Sequence, residues 1–340
     1  MKPLLTIAIP TFNRPEKLLK QVEVVSKQLR DSVVLLVVDN SSSHDPCELL
    51  ADISSKAKPG AIRIHRNVAN VGLAGNICRC LEIADGEWVW LLGDDDLARP
   101  DAVDLILAAV SEWVADESEG SPCIGGHFST GIHQYPEART ITKSEDYWHS
   151  LADEARFSNA LFLSSCVFHS EQARKNLRTA FMQIYSAAPH IAVYAVGVIA
   201  GGCVRLENRF IVDVGKAESG ATWNRLAVLA GITSLVDIPG AKGEILEHLG
   251  TGIGCVLWRP YFKTAAVQMM EDCVRPAAYW RIVFVRLAFV LRGKRWFISV
   301  LLALLTTLVQ WMPFLRGLLL PLLRGRDESI GNANIGLDRI

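Results

Sequence analysis

What this chain lacks narrows its possibilities first. Its eight cysteines, at 47, 78, 80, 123, 166, 203, 255 and 273, include no C-x-x-C pair and no regular spacing. That argues against a disulfide scaffold or a cysteine-based zinc site, and reduced, mostly structural thiols are expected. The formal net charge is only −1, yet residues 279–326 hold eight Lys or Arg and no acid, leaving 27 basic against 36 acidic residues elsewhere. The body therefore lacks the basic stripe of a nucleic-acid surface, and no nucleic-acid partner is expected. After the first strand signal the segment Pro10-Thr11-Phe12-Asn13-Arg14 contains no glycine, so a glycine-rich phosphate loop is missing. The opening apolar run is too short for a secretory signal and meets Pro10, Asn13 and Arg14 without a small-residue cleavage site. The N-terminus is expected to stay in the cytoplasm. Internal repeats and low-complexity tracts are also absent.

What is present is apolar bulk: half of the 340 residues, enough for one large α/β domain with an appendage or for two modest domains. Strand and helix signals alternate through the first hundred residues. Leu4 to Ile9 is an apolar run ended by Pro10, and Pro15 opens an amphipathic segment to Leu29. Val33 to Val38 is continuously aliphatic, as in a strand buried on both faces. Ala61 to His65 gives a third strand, Leu73 to Ala84 a helix, and Trp88 to Leu92 a fourth strand. The alternation predicts a doubly wound parallel sheet. Later signals are less regular: a strand within 120–135, a strand over Leu161 to Phe168, and a helix from Glu171 to Leu177 capped by Ser170. A buried helix is expected over Pro189 to Ala200, a strand or hairpin over Val204 to Val214, and helices across 222–236 and 255–275.

In such sheets ligands bind beyond the carboxyl ends of the strands. Thr11-Phe12-Asn13 follows the first strand, Asp39-Asn40 the second, Arg66-Asn67 the third and Asp94-Asp95-Asp96 the fourth. All four polar groups fall on one edge. Each alone has a plainer reading, with Asn13 and Asn40 as caps, Asn70 and Gly72 as a turn, and Asn76 as a solvated helix residue. The aspartate triplet carries the most information. Adjacent carboxylates repel and raise one another's pKa unless a cation is present, and hard divalent ions prefer oxygen ligands. A metal with a phosphate-bearing substrate is the chemistry expected there, against the alternative that Asp is simply common in turns.

Five ordered motifs carry a family resemblance: IAIPTFNRP at 7–15, VVDNS at 37–41, NVGLAGN at 70–76, ADGEWVWLLGDDD at 84–96, and Pro100. Together they resemble the inverting glycosyltransferases of family 2, over about residues 4–115. The resemblance implies the GT-A fold, a Rossmann-like α/β architecture with a mostly parallel central sheet and flanking helices. It implies that Pro10, Thr11 and Asp39 hold the nucleotide base, Asp39 accepting from the N3 donor of uracil or thymine. Asn13 and Arg66 would belong to the nucleotide-sugar site, Asp94 would lie near the ribose, and Asp95 with Asp96 would bind Mg²⁺ or Mn²⁺ on the diphosphate. A bound cation stabilises the departing nucleoside diphosphate without a proton donor.

The chain departs from the family where many relatives carry a late acidic pair whose Asp serves as base. Tyr185-Ser186-Ala187-Ala188-Pro189-His190 stands at a plausible equivalent position, and is similar to a Tyr-Pro-His segment of O-antigen sugar transferases such as abequosyltransferase-like proteins. An imidazole can take a hydroxyl proton, so His190 is a candidate base. A histidine packing at a helix start is the other reading of His190, and Asp153, Glu154 and Glu218 are rival bases.

The C-terminal part is apolar and basic. Trp296 to Leu315 contains no charge, but Gln310, Pro313 and basic residues on both sides argue against a clean crossing. An interfacial or shallow re-entrant helix attracted to anionic lipid is expected, with packing onto the domain or a dimer partner as the alternative. The resulting organisation is a nucleotide-sugar-binding half at 1–120, an acceptor-binding half at 121–275, a membrane-associated helical tail at 276–326 and a flexible C-terminus at 327–340. The expected activity is sugar transfer from a nucleotide donor to a lipid-linked saccharide at the cytoplasmic face of the inner membrane, in surface-polysaccharide or O-antigen synthesis, with homo-oligomers allowed. Alternatives are a sugar-phosphate nucleotidyltransferase and a non-catalytic membrane-associated scaffold.

Overall fold

A computed structural model of the chain describes residues 2–116, 121–151, 154–186, 188–213, 233–238, 284–285, 294–312, 314–315 and 317–319. The elements run β1 (Leu5–Thr11), α1 (Pro15–Ser26), β2 (Val33–Asp39), α2 (Pro46–Leu49), α3 (Ala51–Lys56), β3 (Ile62–Arg66), α4 (Gly72–Ile83), β4 (Trp88–Leu91), β5 (Leu97–Ala98) and α5 (Ala102–Ala115). They continue as β6 (Cys123–Ser129), β7 (Arg139–Ile141), α6 (Ser144–Ser150), α7 (Glu154–Leu161), β8 (Cys166–His169), α8 (Ser170–Lys175), α9 (Leu177–Met182), α10 (Pro189–Ile199), β9 (Cys203–Phe210), β10 (Val212–Asp213) and α11 (Lys294–Trp311).

One eight-stranded sheet, in the order β3-β2-β1-β4-β8-β6-β9-β7, forms the centre. Pairings β1–β2, β1–β4 and β2–β3 are parallel, as the alternating signals require. Past β4 the sheet is mixed. Strand β8 is inserted antiparallel between β4 and β6, and β7 pairs antiparallel with β9, while β6 and β9 are parallel. The doubly wound expectation therefore holds for β1 to β4 and not for the whole sheet. Strand β8 is also shorter than the expected Leu161–Phe168 run, because Leu161 ends α7 and a 3-10 turn occupies Leu163–Ser165. Ser170 opens α8 rather than capping it, and the His169 side chain accepts from the Gln172 amide. Helix α1 stops at Ser26, short of Leu29. The helices expected across 222–236 and 255–275 fall almost wholly outside the described residues.

Burial on both faces explains the continuous aliphatic strands. Leu5, Ile7, Ile9, Leu35 and Val37 pack with α1 and α5 on one side, while Ala8, Leu36, Val38, Val89 and Leu91 pack with α4 and α10 on the other. Pro10 does not end β1, which runs to Thr11 in register with Asp39. The β1–β4 ladder stops at Ala8 opposite Leu91, and Ala8 accepts there from the Leu92 amide. Pro10 faces the same side one step further on, where its missing N–H leaves no ladder bond unmade. Gly125, at φ 145°, marks a register shift in β6, and a Cβ there would stand 2.0 Å from the Val167 carbonyl oxygen. No other residue type fits that approach.

Candidate active site

The carboxyl ends of β1 to β4 bring Thr11, Asp39, Arg66 and the aspartate triplet to one edge, through the parallel register Thr11–Asp39–Arg66. Asn13, at φ 52°, turns the chain out of β1 and into the helix that Pro15 starts. Its side-chain oxygen accepts from the Ser43 amide at 2.8 Å, while its own amide donates to Ser42 Oγ at 2.9 Å. The loops after β1 and β2 are thereby tied together.

Asp39 is completely buried and accepts from the Ser42 amide at 3.1 Å, with Arg66 Nε 3.4 Å from the same oxygen. Arg66 also donates to the Ser42 carbonyl. Beneath this pair lies a network of four asparagines. Asn40 accepts from Asn67 and from the Val71 amide and donates to Asn70; Asn67 donates to Asn76, which donates to the Val38 carbonyl at 2.9 Å. Asn76 is buried, not solvated as its place on an exposed-looking helix suggested. Each amide supplies both a donor and an acceptor, so the set satisfies its own polar atoms and fixes the loops that follow β2 and β3.

The three aspartates differ sharply. Asp94 is buried, accepts from Thr11 Oγ1 at 2.8 Å on one oxygen and from Arg14 Nη1 at 3.0 Å on the other. Burial raises its pKa, against the pull of Arg14 and the Thr11 hydroxyl. Asp95 is partly exposed; the same Arg14 Nη1 lies 2.9 Å from its Oδ2, with Lys17 Nζ at 3.6 Å. A single guanidinium nitrogen thus bridges two carboxylates, a role the sequence did not single out. Asp96 turns the other way. Its Oδ2 accepts from Ser164 Oγ at 2.6 Å, Gln21 of α1 donates to its backbone carbonyl, and burial pushes its carboxyl up to about 7. Ser164 also accepts from the Gly93 amide, so Asp96 locks the loop after β4 to the turn before β8.

These donors define what a divalent ion could use. Among the described residues no group of three or more His, Cys, Asp or Glu converges to hold a metal. Asp95 offers a half-open hard-oxygen ligand, and Asp94 stands beside it. That set suits a Mg²⁺- or Mn²⁺-type ion that takes one or two carboxylates from the protein and the rest of its ligands from substrate phosphates and water. Asp96 is turned away from it: its carboxyl accepts from Ser164, and burial raises its pKa.

His190, expected as a base, opens α10 in the core. The ring is buried, Nε2 donates to the Ala160 carbonyl at 3.0 Å, Nδ1 is buried without a partner, and burial lowers its pKa to about 4. Its surroundings are apolar, and His127 lies close enough to be affected, its own pKa lowered to about 3 by burial and by His190. Of the rival bases, Asp153 and Glu218 lie outside the described residues, and Glu154 begins α7. A different carboxylate reaches the edge. The antiparallel ribbon β5–β10 places Asp213 opposite Leu97, the residue after Asp96. Only the expected strand or hairpin over 204–214 hinted at it, since the pairing spans more than a hundred residues.

The protein-family comparison decides the class. Residues 6–167 match the family model described as glycosyl transferase family 2. This stretch is a glycosyl transferase family 2 domain. An uncharacterized glycosyltransferase of Methanocaldococcus jannaschii is 31% identical over 101 residues, 29% of this chain and 34% of that protein. The abequosyltransferase of Salmonella typhimurium is 25% identical over 104 residues, 30% of this chain and 31% of that protein. Such matches span only about a third of the length of these curated relatives. Among solved structures, Staphylococcus aureus TarS 1–349 in complex with UDP superposes with a TM-score of 0.56 at 11% identity, covering 93% of this chain and 92% of that one. The mannosyltransferase PcManGT of Pyrobaculum calidifontis, in complex with GDP-Man and Mn²⁺, gives 0.51 at 15% identity, covering 92% and 88%. At these identities the likeness establishes the fold, a GT-A-like α/β arrangement around a mostly parallel mixed sheet.

Proposed function

We propose that this family 2 domain transfers a sugar from a nucleoside diphosphate donor, with inversion, to a hydroxyl of a polyprenyl-lipid-linked saccharide at the cytoplasmic face of the inner membrane, in surface-polysaccharide or O-antigen assembly. The observation that carries the reading is the gathering of Thr11, Asp39, Arg66, Asp94 and Asp95 at one carboxyl edge of the parallel half-sheet. Support for the donor comes from the neighbour solved with UDP and for the acceptor from a Campylobacter jejuni relative named as acting on an undecaprenol-diphosphate-linked saccharide, 27% identical over 113 residues, 33% of this chain.

Each residue has a physical task in that reading. Asp39 and its Arg66 partner present a carboxylate for the N3–H of a uracil or thymine ring beside Pro10, and the asparagine network keeps that rim from shifting. Thr11 holds Asp94 toward the ribose. Asp95, with Asp94 adjacent, holds the divalent ion, which when bound neutralises charge developing on the departing diphosphate. Arg14 and Lys17 supply further positive charge at the same place. We assign the acceptor-hydroxyl proton to Asp213, whose strand borders the triplet and whose carboxylate is open to solvent.

Incubation with UDP-, dTDP- and GDP-sugars and Mn²⁺ tests the reaction class. Nucleoside diphosphate release stimulated by a lipid-linked saccharide is the expected result. Release of inorganic pyrophosphate from a sugar phosphate and nucleoside triphosphate would instead identify a nucleotidyltransferase, and no turnover with bound donor would leave a scaffold.

A further inference from the structure

Helix α11 presents two apolar faces. Ser299, Leu302 and Val309 are buried, Leu302 and Val309 within the core cluster that also includes α10. Phe297, Leu301, Leu304, Leu308 and Trp311 are exposed, from 52% for Leu308 to 80% for Trp311. At about 100° per residue these five fall within an arc of about 80°, and they extend over about 21 Å of helix at 1.5 Å per residue. Just past the helix, Met312, Phe314 and Leu318 are exposed as well. A soluble surface rarely carries so large a contiguous apolar stripe without a partner.

We propose that this outer face of α11 is a docking surface for an anionic lipid bilayer, with the helix lying in the plane of the interface. The inner face is committed to the core, and among the described residues no helix is long and apolar enough to cross a membrane, so the helix rests on the bilayer. Charge selects the occupant. In the sequence, Arg292, Lys294 and Arg295 precede or open the helix and Arg316, Arg324 and Arg326 follow it, with no acid from 279 to 326. Two copies pairing through this stripe, parallel or antiparallel, would bring basic end against basic end. An anionic surface complements the basic residues on both sides of the helix at once. Trp296 and Trp311, both exposed near the helix ends, are the residue type that settles at the headgroup boundary. The choice of a bilayer agrees with the lipid-linked acceptor read above and rests on that reading only for its biological setting.

Flotation of the full-length protein tests this, with phosphatidylglycerol-containing and phosphatidylcholine vesicles at low and high salt. Wild-type protein is expected to float with anionic vesicles and to lose most of its binding in high salt. Leu304→Glu with Leu308→Glu is expected to cut the floating fraction at least tenfold, and Phe297→Glu, a single change at the exposed rim, to cut it less. Nucleoside diphosphate binding, measured beside each variant, keeps misfolding apart from lost docking. Wild-type protein that never floats, or variants that float as well as wild type, would overturn the proposal, as would a dimer that the double variant dissociates. A protein that floats but binds no nucleotide sinks the sugar-transfer reading and leaves the docking surface standing.

Discussion

Two polar clusters in this protein meet the same problem of buried titratable groups and solve it in opposite ways. At the sheet edge, Asp94 and Asp95 share Arg14, and Asp39 faces Arg66. Behind β4, His127, Tyr147, Cys166, Tyr194 and His190 crowd together with no ion pair among them; the His127 and Tyr194 rings meet at a tilt of 46° with centroids 4.3 Å apart, and Tyr194 donates to the Gly126 and Val167 carbonyls. Burial lowers the histidines to about 3 and 4, raises the Cys166 thiol to about 12 and raises both tyrosines well above their ordinary range. The edge sets its carboxylates against guanidinium groups, whereas the inner cluster is kept neutral. A charged edge suits a diphosphate and a cation, and a neutral interior suits packing.

The largest effect that would break this contrast lies at the edge. Asp95→Ala is expected to lower metal-dependent nucleoside diphosphate affinity by about a hundredfold or more, the scale of losing a key electrostatic partner, with the fold intact because the side chain is half-open and its loss relieves crowding with Asp94. Titration calorimetry with UDP and Mn²⁺ measures it, and undiminished affinity would remove Asp95 from the metal role. Asp213→Asn sharpens the same point, since a base should lose turnover, by about a hundredfold, while donor binding stays as it was.

The inner cluster answers to pH. The folded-state pKa values of His127 and His190 lie below the ordinary 6.5, so their neutral forms contribute stability that is fully present above pH 6.5. It is lost as pH falls, when the unfolded chain takes up protons that the folded chain refuses. Each histidine then costs stability as pH falls from 6.5 toward its folded value. Asp96, raised to about 7, acts in the opposite direction and loses its contribution as pH rises through that value. Urea midpoints from pH 4 to 7.5 should fall on acidification in wild type and fall less steeply in His190→Ala, which is also expected to be less stable at pH 7 with donor binding unchanged. If that variant keeps its stability and pH slope and loses turnover instead, the imidazole is the base after all.

What the sequence made legible follows from range. The parallel strands and the edge residues Thr11, Asp39, Arg66, Asp94 and Asp95 could be read because a strand buried on both faces is a continuous aliphatic run and its end is local. The insertion of β8 between β4 and β6 could not, since strand order is carried by contacts distant in sequence. Asp96 shows the same limit: its Ser164 partner is 68 residues away, so the sequence groups it with Asp95. His190 is a candidate base by its likeness to a Tyr-Pro-His segment, but the apolar residues around α10 bury it. Asn76 was misjudged because a helix position facing other asparagines resembles one facing water until the loops are assembled.

Arg14 offers the smallest and finest test. Its Nη1 stands between Asp94 Oδ1 and Asp95 Oδ2, so one guanidinium serves both carboxylates. A divalent ion arriving at Asp95 must compete with that guanidinium. Replacing it by Arg14→Gln leaves Lys17, at 3.6 Å, as the remaining cation near Asp95 among the described residues. Mn²⁺ affinity in the absence of nucleotide should then rise about tenfold, or about 1.4 kcal/mol. Stability should change little, because Arg14 is 46% exposed and solvent screens its ion pairs. Electron paramagnetic resonance titration of free Mn²⁺ reads the affinity directly, without turnover. Tighter binding would show that the edge holds its own cation until the metal replaces it. Unchanged or weaker binding would mean that Arg14 and the ion do not compete, and that the paired carboxylates are a structural clasp closer in kind to the inner cluster.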